Sequence, residues 1–358
     1  MSIRHGDIIF LLGAGASAEA GIPTSASMIQ KIEALLEQDE EWHSYKELYH
    51  HIKSSIYYAA GLKGLFNEAV PYNVETLVNT LYELERNEEH PLYPFIASWN
   101  SRLMRLAGSN FEEARKFRDL ILDQLKQWMV PESPSKSNYY QRFKTLQQDL
   151  NFPLHIFSLN YDLCVERLNT EDFVVETGFE GFGPEFPWNW GRFEHPEEEP
   201  QIYLYKLHGS IDWKRDPETK QLYRVEQIAN VNSRTMELIF GRDFKIQAAD
   251  PYLFYLYAFR QALLNARLIV VIGYGLGDSH INEMLNQALR HDQHRRLLLI
   301  TKCNDDQIED QKRHVVKVLN MLEQQVLIKT AGAKAFLETE NLSAELQGMI
   351  PKRPDDPF

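Results

Sequence analysis

Ile8-Ile9-Phe10-Leu11-Leu12-Gly13-Ala14-Gly15-Ala16-Ser17 is an apolar, strand-like run that passes straight into Gly-x-Gly-x-Ser. Gly13 and Gly15 remove side chains where the backbone must turn sharply and approach a ligand. A helix following them would offer unpaired N–H groups and its positive dipole end to a pyrophosphate. A glycine pair by itself also fits a plain strand-to-helix turn. The continuation Ala18-Glu19-Ala20-Gly21-Ile22-Pro23-Thr24 adds a second Gly/Pro break, which an ordinary dinucleotide-binding helix does not tolerate and which lets a loop cover a cofactor.

With 358 residues, 44% hydrophobic and 12% aromatic, the chain can bury a large core. Its 38 basic against 51 acidic residues give a formal charge of −13, which argues against direct nucleic-acid binding. Cys164 and Cys303 lie far apart without Cys-x-x-Cys spacing, so neither a disulfide framework nor a zinc ribbon is expected, and a reducing cytoplasm is. No segment approaches the roughly 20 apolar residues of a membrane span, and Met1 to Asp7 lacks the apolar core of a signal peptide.

Residues 26 to about 130 carry apolar residues at three- and four-residue spacing and few glycines, the pattern of a helical block. Its clearest helix is expected to be capped by Asn110 and to bury Phe117, Ile121, Leu125 and Trp128 along one stripe. From about 152 onward, apolar runs at 154–159, 202–207, 268–272 and 297–300 alternate with loops and helices. That alternation implies an α/β fold, a Rossmann-like, mostly parallel sheet with helices on both faces, which the first strand joins. One domain is therefore expected over 1–350, with 26–135 inserted as a helical subdomain and 351–358 a disordered tail. Glu194 to Pro200 reads as a solvated loop.

Three strand ends carry candidate chemistry. Ser158-Leu159-Asn160-Tyr161-Asp162 puts polar residues directly after an apolar run, where α/β folds bind ligands, although Asn160 could also be a helix cap. Lys206-Leu207-His208-Gly209-Ser210 places a histidine, a candidate general base, at another strand end. Ile272-Gly273-Tyr274-Gly275-Leu276-Gly277-Asp278 repeats the strand-then-glycine design and reads as the second half of a dinucleotide crevice.

In this order, Gly-Ala-Gly-x-Ser, Ala-Gly-Ile-Pro, an Asn-x-Asp motif, His-Gly and a final glycine-rich loop resemble the sirtuin superfamily over about residues 7 to 300. The chain departs from the protein deacylases of that family, because Ile22-Pro23 continues as Thr24-Ser25-Ala26 and the four zinc-binding cysteines are absent. It looks like the bacterial sirtuin-like branch, with Asn73-Val74-Glu75 similar to that branch's Asn-Ile-Glu motif and Gly275 where the branch carries Ser. The resemblance implies an NAD+ glycohydrolase that releases nicotinamide and ADP-ribose, with NAD as substrate and no metal, used in anti-phage defence and abortive infection by NAD depletion. It implies Asn160 orienting the water or the ribose hydroxyls and His208 as base. Gly13, Ala14, Gly15 and Ser17 would hold the pyrophosphate, Ile22 and Pro23 would belong to the cofactor loop, Asp162 would support the Asn160 loop, and Gly273, Tyr274, Gly275 and Asp278 would meet the adenosine half. The same resemblance implies a homo-oligomer and a separate activator, a HerA-like ATPase first and an Argonaute-type protein second. An NAD or ADP-ribose sensor, a DNA-directed effector subunit and an NAD-dependent deacylase are the competing readings.

Overall fold

The computed structural model describes residues 3–66, 70, 72–85, 101–108, 110–180, 184–239 and 250–351. Strand β1 (Ile8–Leu12) is buried at all five positions, as its unbroken apolar character requires. It lies inside a seven-stranded sheet with β2 (Leu154–Ser158), β3 (Val175–Glu176), β5 (Ile202–Lys206), β9 (Leu268–Ile272), β10 (Arg296–Thr301) and β11 (Val326–Thr330), in the order β11-β10-β9-β1-β2-β5-β3. Each neighbouring pair is parallel, with Phe10 beside Ile156 on one side and Val270 on the other.

Alternate residues of β1 enter different layers. Ile8, Phe10 and Leu12 pack with Ile32, Phe117, Ile121 and Phe143, whereas Ile9 and Leu11 pack with Phe259, Leu263, Leu285 and Val315. The sheet is thus covered by helices on both faces, the α/β arrangement expected from the sequence. The first layer comes largely from the chain between β1 and β2, which forms the helices Ser25–Gln38, Lys46–Gly61, Val74–Glu85, Ser101–Ala107, Glu112–Trp128 and Arg142–Leu150. The second layer holds Tyr252–Asn265, Ser279–His291 and Ile308–Leu319.

Phe117, Ile121 and Leu125 are buried on the helix Glu112–Trp128 and Trp128 packs against the same core. The cap of that helix is not Asn110. Phe111 occupies the position with a left-handed backbone (φ 54°) and no side-chain cap bond, its ring buried in the core, so an apolar anchor and the turn from Gly108 set the helix start.

A second sheet, antiparallel and four-stranded, was not apparent in the sequence pattern. It orders β4 (Glu185–Pro187), β7 (Leu222–Val225), β6 (Gly209–Arg215) and β8 (Met236–Leu238) as β4-β7-β6-β8. Its strand β6 begins immediately after His208, and Gly209 (φ +85°) has no room for a side chain because the Glu237 carbonyl occupies that space. Residues 352–358 of the expected tail lie outside the described residues. Among the described residues no helix is long and apolar enough to cross a membrane.

Candidate functional site

β1 has β2 on one side and β9 on the other, so the strand order reverses at β1 and a crevice opens beyond the carboxyl ends of these three strands. A cleft of about 700 Å³ occupies that place. It is lined by Gly13, Ala14, Gly15, Ile22, Pro23, Asn160, Asp162, His208, Gly273, Tyr274, Gly275 and Asp278, which brings together the sequence candidates with the exception of Ser17.

The glycine loops explain one another. Gly13 N–H donates to the Ile272 carbonyl at 2.9 Å and Gly15 N–H to the Gly273 carbonyl at 2.8 Å. A Cβ on Gly13 would stand 2.6 Å from Tyr274 Cα, one on Gly15 would stand 2.8 Å from Gly273 Cα, and one on Gly273 (φ +64°) would overlap the Gly15–Ala16 peptide. Glycine is required here for backbone-to-backbone interlock. Two expectations change accordingly. The chain after Gly13 forms short 3₁₀ turns, Ala14–Ala16 and Ala18–Ala20, and the first α-helix starts only at Ser25, capped by Thr24. The N–H groups of Gly13, Gly15, Ala16 and Ser17 are also spent within the protein, so this loop is not an open cradle of four donors. By contrast, a Cβ at Gly275 or Gly277 would meet nothing within 4 Å, and both line the cleft.

Ser17 is fully buried and outside the cleft lining, which corrects its expected contact with pyrophosphate. Its hydroxyl donates to Asp162 Oδ2 at 2.7 Å and accepts from Asn160 Nδ2 at 3.1 Å. Because a carboxylate only accepts, the Ser17 proton is committed to Asp162, and the Tyr140 hydroxyl, 2.8 Å away, donates to Ser17. With its amide nitrogen held by Ser17, Asn160 has its carbonyl oxygen left for the cleft. Asp162 holds the same loop, accepting from the Cys164 N–H at 2.9 Å through Oδ1.

Buried Lys206 supports the loop from behind, bonding the Asp162 carbonyl and pairing with Glu166 Oε1 at 3.0 Å. Burial, opposed by Lys206, pushes Glu166 up to about 7. Tyr139 ties the glycine loop to the segment 134–141, donating to the Ala16 carbonyl at 2.6 Å. Burial pushes the Cys164 thiol well up, leaving it an unreactive core group.

His208, 4% exposed, places Nε2 2.9 Å from Asp278 Oδ2. The other oxygen of Asp278 caps the helix Ser279–His291, accepting from the N–H groups of His280 and Ile281. Helix capping thus fixes the Asp278 carboxylate against His208 within the cleft lining. Such a pairing places the imidazole proton on Nε2 and leaves Nδ1, which has no hydrogen-bond partner among the described residues, with a lone pair. The Tyr274 hydroxyl braces the same turn, accepting from Asp278 N–H at 3.0 Å and donating to Asn282 Oδ1 at 2.9 Å.

At its far end the cleft is lined by Ile300, Thr301, Lys302 and Gly332. There Glu19 bridges Lys302, at 3.1 Å, and the Lys334 N–H, at 2.8 Å. Tyr140, Lys206 and the Glu19–Lys302 pair were not singled out from sequence, because each acts through neighbours distant in the chain. Among the described residues no group of three or more His, Cys, Asp or Glu side chains is placed to hold a metal ion.

Residues 154–325 match the family model described as a SIR2-like domain. Over that stretch the chain is similar to SIR2-like domains. The match takes in Asn160, His208 and the loop from Gly273 to Asp278, and leaves out β1 with Gly13 and Gly15. Among solved structures, the chain is similar to a mutant Sir2 homologue in complex with 2′-O-acetyl ADP-ribose, at 14% identity and a TM-score of 0.44, covering 97% of this chain and 94% of that one. It is also similar to a Sir2 homologue–NAD complex, at 12% identity and a TM-score of 0.43, covering 95% and 89% of the two chains. Comparison with curated proteins gives no match.

Proposed function

We propose that this chain is an NAD+ glycohydrolase that releases nicotinamide and ADP-ribose. The observation that carries the reading is the meeting of two prepared groups in one switch-point cleft, His208 oriented by Asp278 and Asn160 oriented by Ser17. The dinucleotide lies with its adenosine toward Thr301, Lys302 and Gly332, its pyrophosphate along Ala14 and the open glycines Gly275 and Gly277, and its nicotinamide ribose toward Asn160 and His208.

Breaking the bond between the anomeric carbon and the pyridinium nitrogen sends its electron pair to nicotinamide and leaves a ribosyl cation. Asn160 holds a ribose hydroxyl or the incoming water through its carbonyl oxygen. Water adds to the cation, and its proton passes to His208 Nδ1 while Asp278 stabilises the imidazolium. Holding both groups in place before the substrate arrives is the protein's main contribution.

Uncontrolled NAD+ loss would kill the cell that makes such an enzyme, so the reading includes control. We place the chain as a conditional anti-phage effector, oligomeric in the cytoplasm, switched on by a separate partner such as a HerA-like ATPase. Residues 26–135 would form an insertion into one domain spanning 1–350. The test is chromatographic: NAD+ is incubated with wild type, Asn160→Ala and His208→Ala, each alone and with the ATPase, and nicotinamide and ADP-ribose are quantified. Turnover by the wild type that both variants lose supports the hydrolase. NAD+ binding without nicotinamide release under any condition would move the protein to the class of sensors.

A further inference from the structure

We infer that Glu75 makes the cleft selective for a cationic dinucleotide, its carboxylate facing the positive pyridinium and the ribosyl cation formed as the ring departs. The inference rests on the hydrolase reading and deepens it. Glu75 stands in the first turn of the helix Val74–Glu85, whose start is fixed by Asn73 Oδ1 accepting the Thr76 N–H at 2.9 Å. Both Asn73 and Glu75 line the cleft that holds Asn160 and His208.

Two tyrosines that line the cleft with Glu75 stand at the His208 end. The Tyr161 ring centroid is 6.4 Å from that of His208, and the Tyr274 hydroxyl is bonded to the Asp278 backbone. Burial first, and then the charges of Glu75 and Asp278, push both phenols up. Glu75 is half-buried and makes no hydrogen bond or ion pair among the described residues.

The distribution of charge along the cleft gives that carboxylate its meaning. Lys302 is the one lysine or arginine in the lining among the described residues, and it is paired with Glu19 at the far end. The His208 end presents Glu75, Asp162 and Asp278 without a lining cation. Asp162 and Asp278 are committed to Ser17 and His208, whereas Glu75 is not committed. The same cleft is lined by His208, whose buried Nδ1 has no hydrogen-bond partner among the described residues. A carboxylate held in a partly desolvated cleft attracts the positive pyridinium of the substrate, and that charge as it shifts onto the ribose, more strongly than it attracts an uncharged ring.

The experiment compares wild type with Glu75→Gln and Glu75→Asp, measuring NAD+ cleavage by nicotinamide release and the affinities for NAD+, NADH and ADP-ribose by calorimetry. Wild type should bind NAD+ more tightly than NADH, whose nicotinamide ring is uncharged. Glu75→Gln should erase that preference and lower kcat/KM about 10²-fold, with ADP-ribose affinity and melting temperature unchanged. Glu75→Asp should keep most of the preference. Wild-type kcat/KM in Glu75→Gln, or an equal loss of NAD+ and ADP-ribose affinity, would overturn the inference. Wild type that prefers NAD+ over NADH but releases no nicotinamide would sink the hydrolase reading and leave the charge selection standing, whereas binding of neither dinucleotide would overturn both.

Discussion

His208 Nε2 and Asp278 Oδ2 stand 2.9 Å apart although 70 positions separate them, one just past the end of β5 and the other at the head of the helix that follows β9. The pair exists because Asp278 does two jobs, its second oxygen capping the helix Ser279–His291. Asp278→Asn keeps a good cap, so the fold should hold. An amide, however, can also donate to Nε2, which moves the imidazole proton to Nδ1 and removes the base. Nicotinamide release by Asp278→Asn should fall about 10²-fold in kcat with KM little changed, within the range general-base catalysis supplies. Unchanged kcat in a folded variant would remove His208 as the base.

Ser17 should matter to stability and activity together. Ser17→Ala leaves Asn160 Nδ2 and Asp162 Oδ2 buried with a partner lost at each, and an unsatisfied buried group costs roughly 1–3 kcal/mol. Tyr140→Phe removes one donor to a hydroxyl that keeps its other bonds and should cost about 1 kcal/mol. Denaturant unfolding of both variants checks the order, and Ser17→Ala should also lose turnover because the Asn160 amide is free to rotate. Equal stability losses would show that Ser17 is not the shared member of the network.

The parallel sheet was legible because its principal strands are short unbroken apolar runs, Ile8–Leu12 and Leu268–Ile272 above all, and Asn160 and His208 were legible as polar residues directly following such runs. β4 was not legible, since Glu185-Phe186-Pro187 has neither alternation nor an apolar run to mark it. Nor was the burial of Ser17, because local sequence places its hydroxyl near a ligand loop and only Tyr140 and Asp162, more than 120 residues away, turn it inward. The glycines were recognised as sites of close approach, but the partner of Gly13 and Gly15 proved to be Gly273.

That interlock separates glycines of one motif by their tolerance. Gly13→Ala puts a methyl 2.6 Å from Tyr274 Cα and 2.7 Å from the Gly273 carbonyl, backbone atoms that cannot swing aside. It should cost about 3 kcal/mol, the upper part of the overpacking range. Gly275→Ser meets nothing within 4 Å and should stay within about 0.5 kcal/mol of wild type. Its hydroxyl enters the cleft lining, so the effect should appear in KM for NAD+ and not in melting temperature. A Gly275→Ser variant as unstable as Gly13→Ala would show that this loop is packed where the structure leaves it open.

His155 sets an acid limit on stability at the opposite end of β2. Its ring stacks on Tyr203 and Tyr205, with centroids 5.2 and 6.1 Å away, and its Nε2 faces His5 Nε2 at 3.2 Å. Burial, with the charge of His5 behind it, pushes His155 down to about 4 from an ordinary value near 6.5. The folded state therefore resists the proton that the unfolded chain accepts. Above pH 6.5 both states are neutral here and this contribution is fully present; it drains away as pH falls from 6.5 through 4, amounting to about 3 kcal/mol. His155→Phe keeps the stacking and cannot titrate. Its unfolding free energy should drop less than that of wild type between pH 7.5 and pH 4.5, and parallel losses in the two proteins would assign the acid sensitivity to other groups.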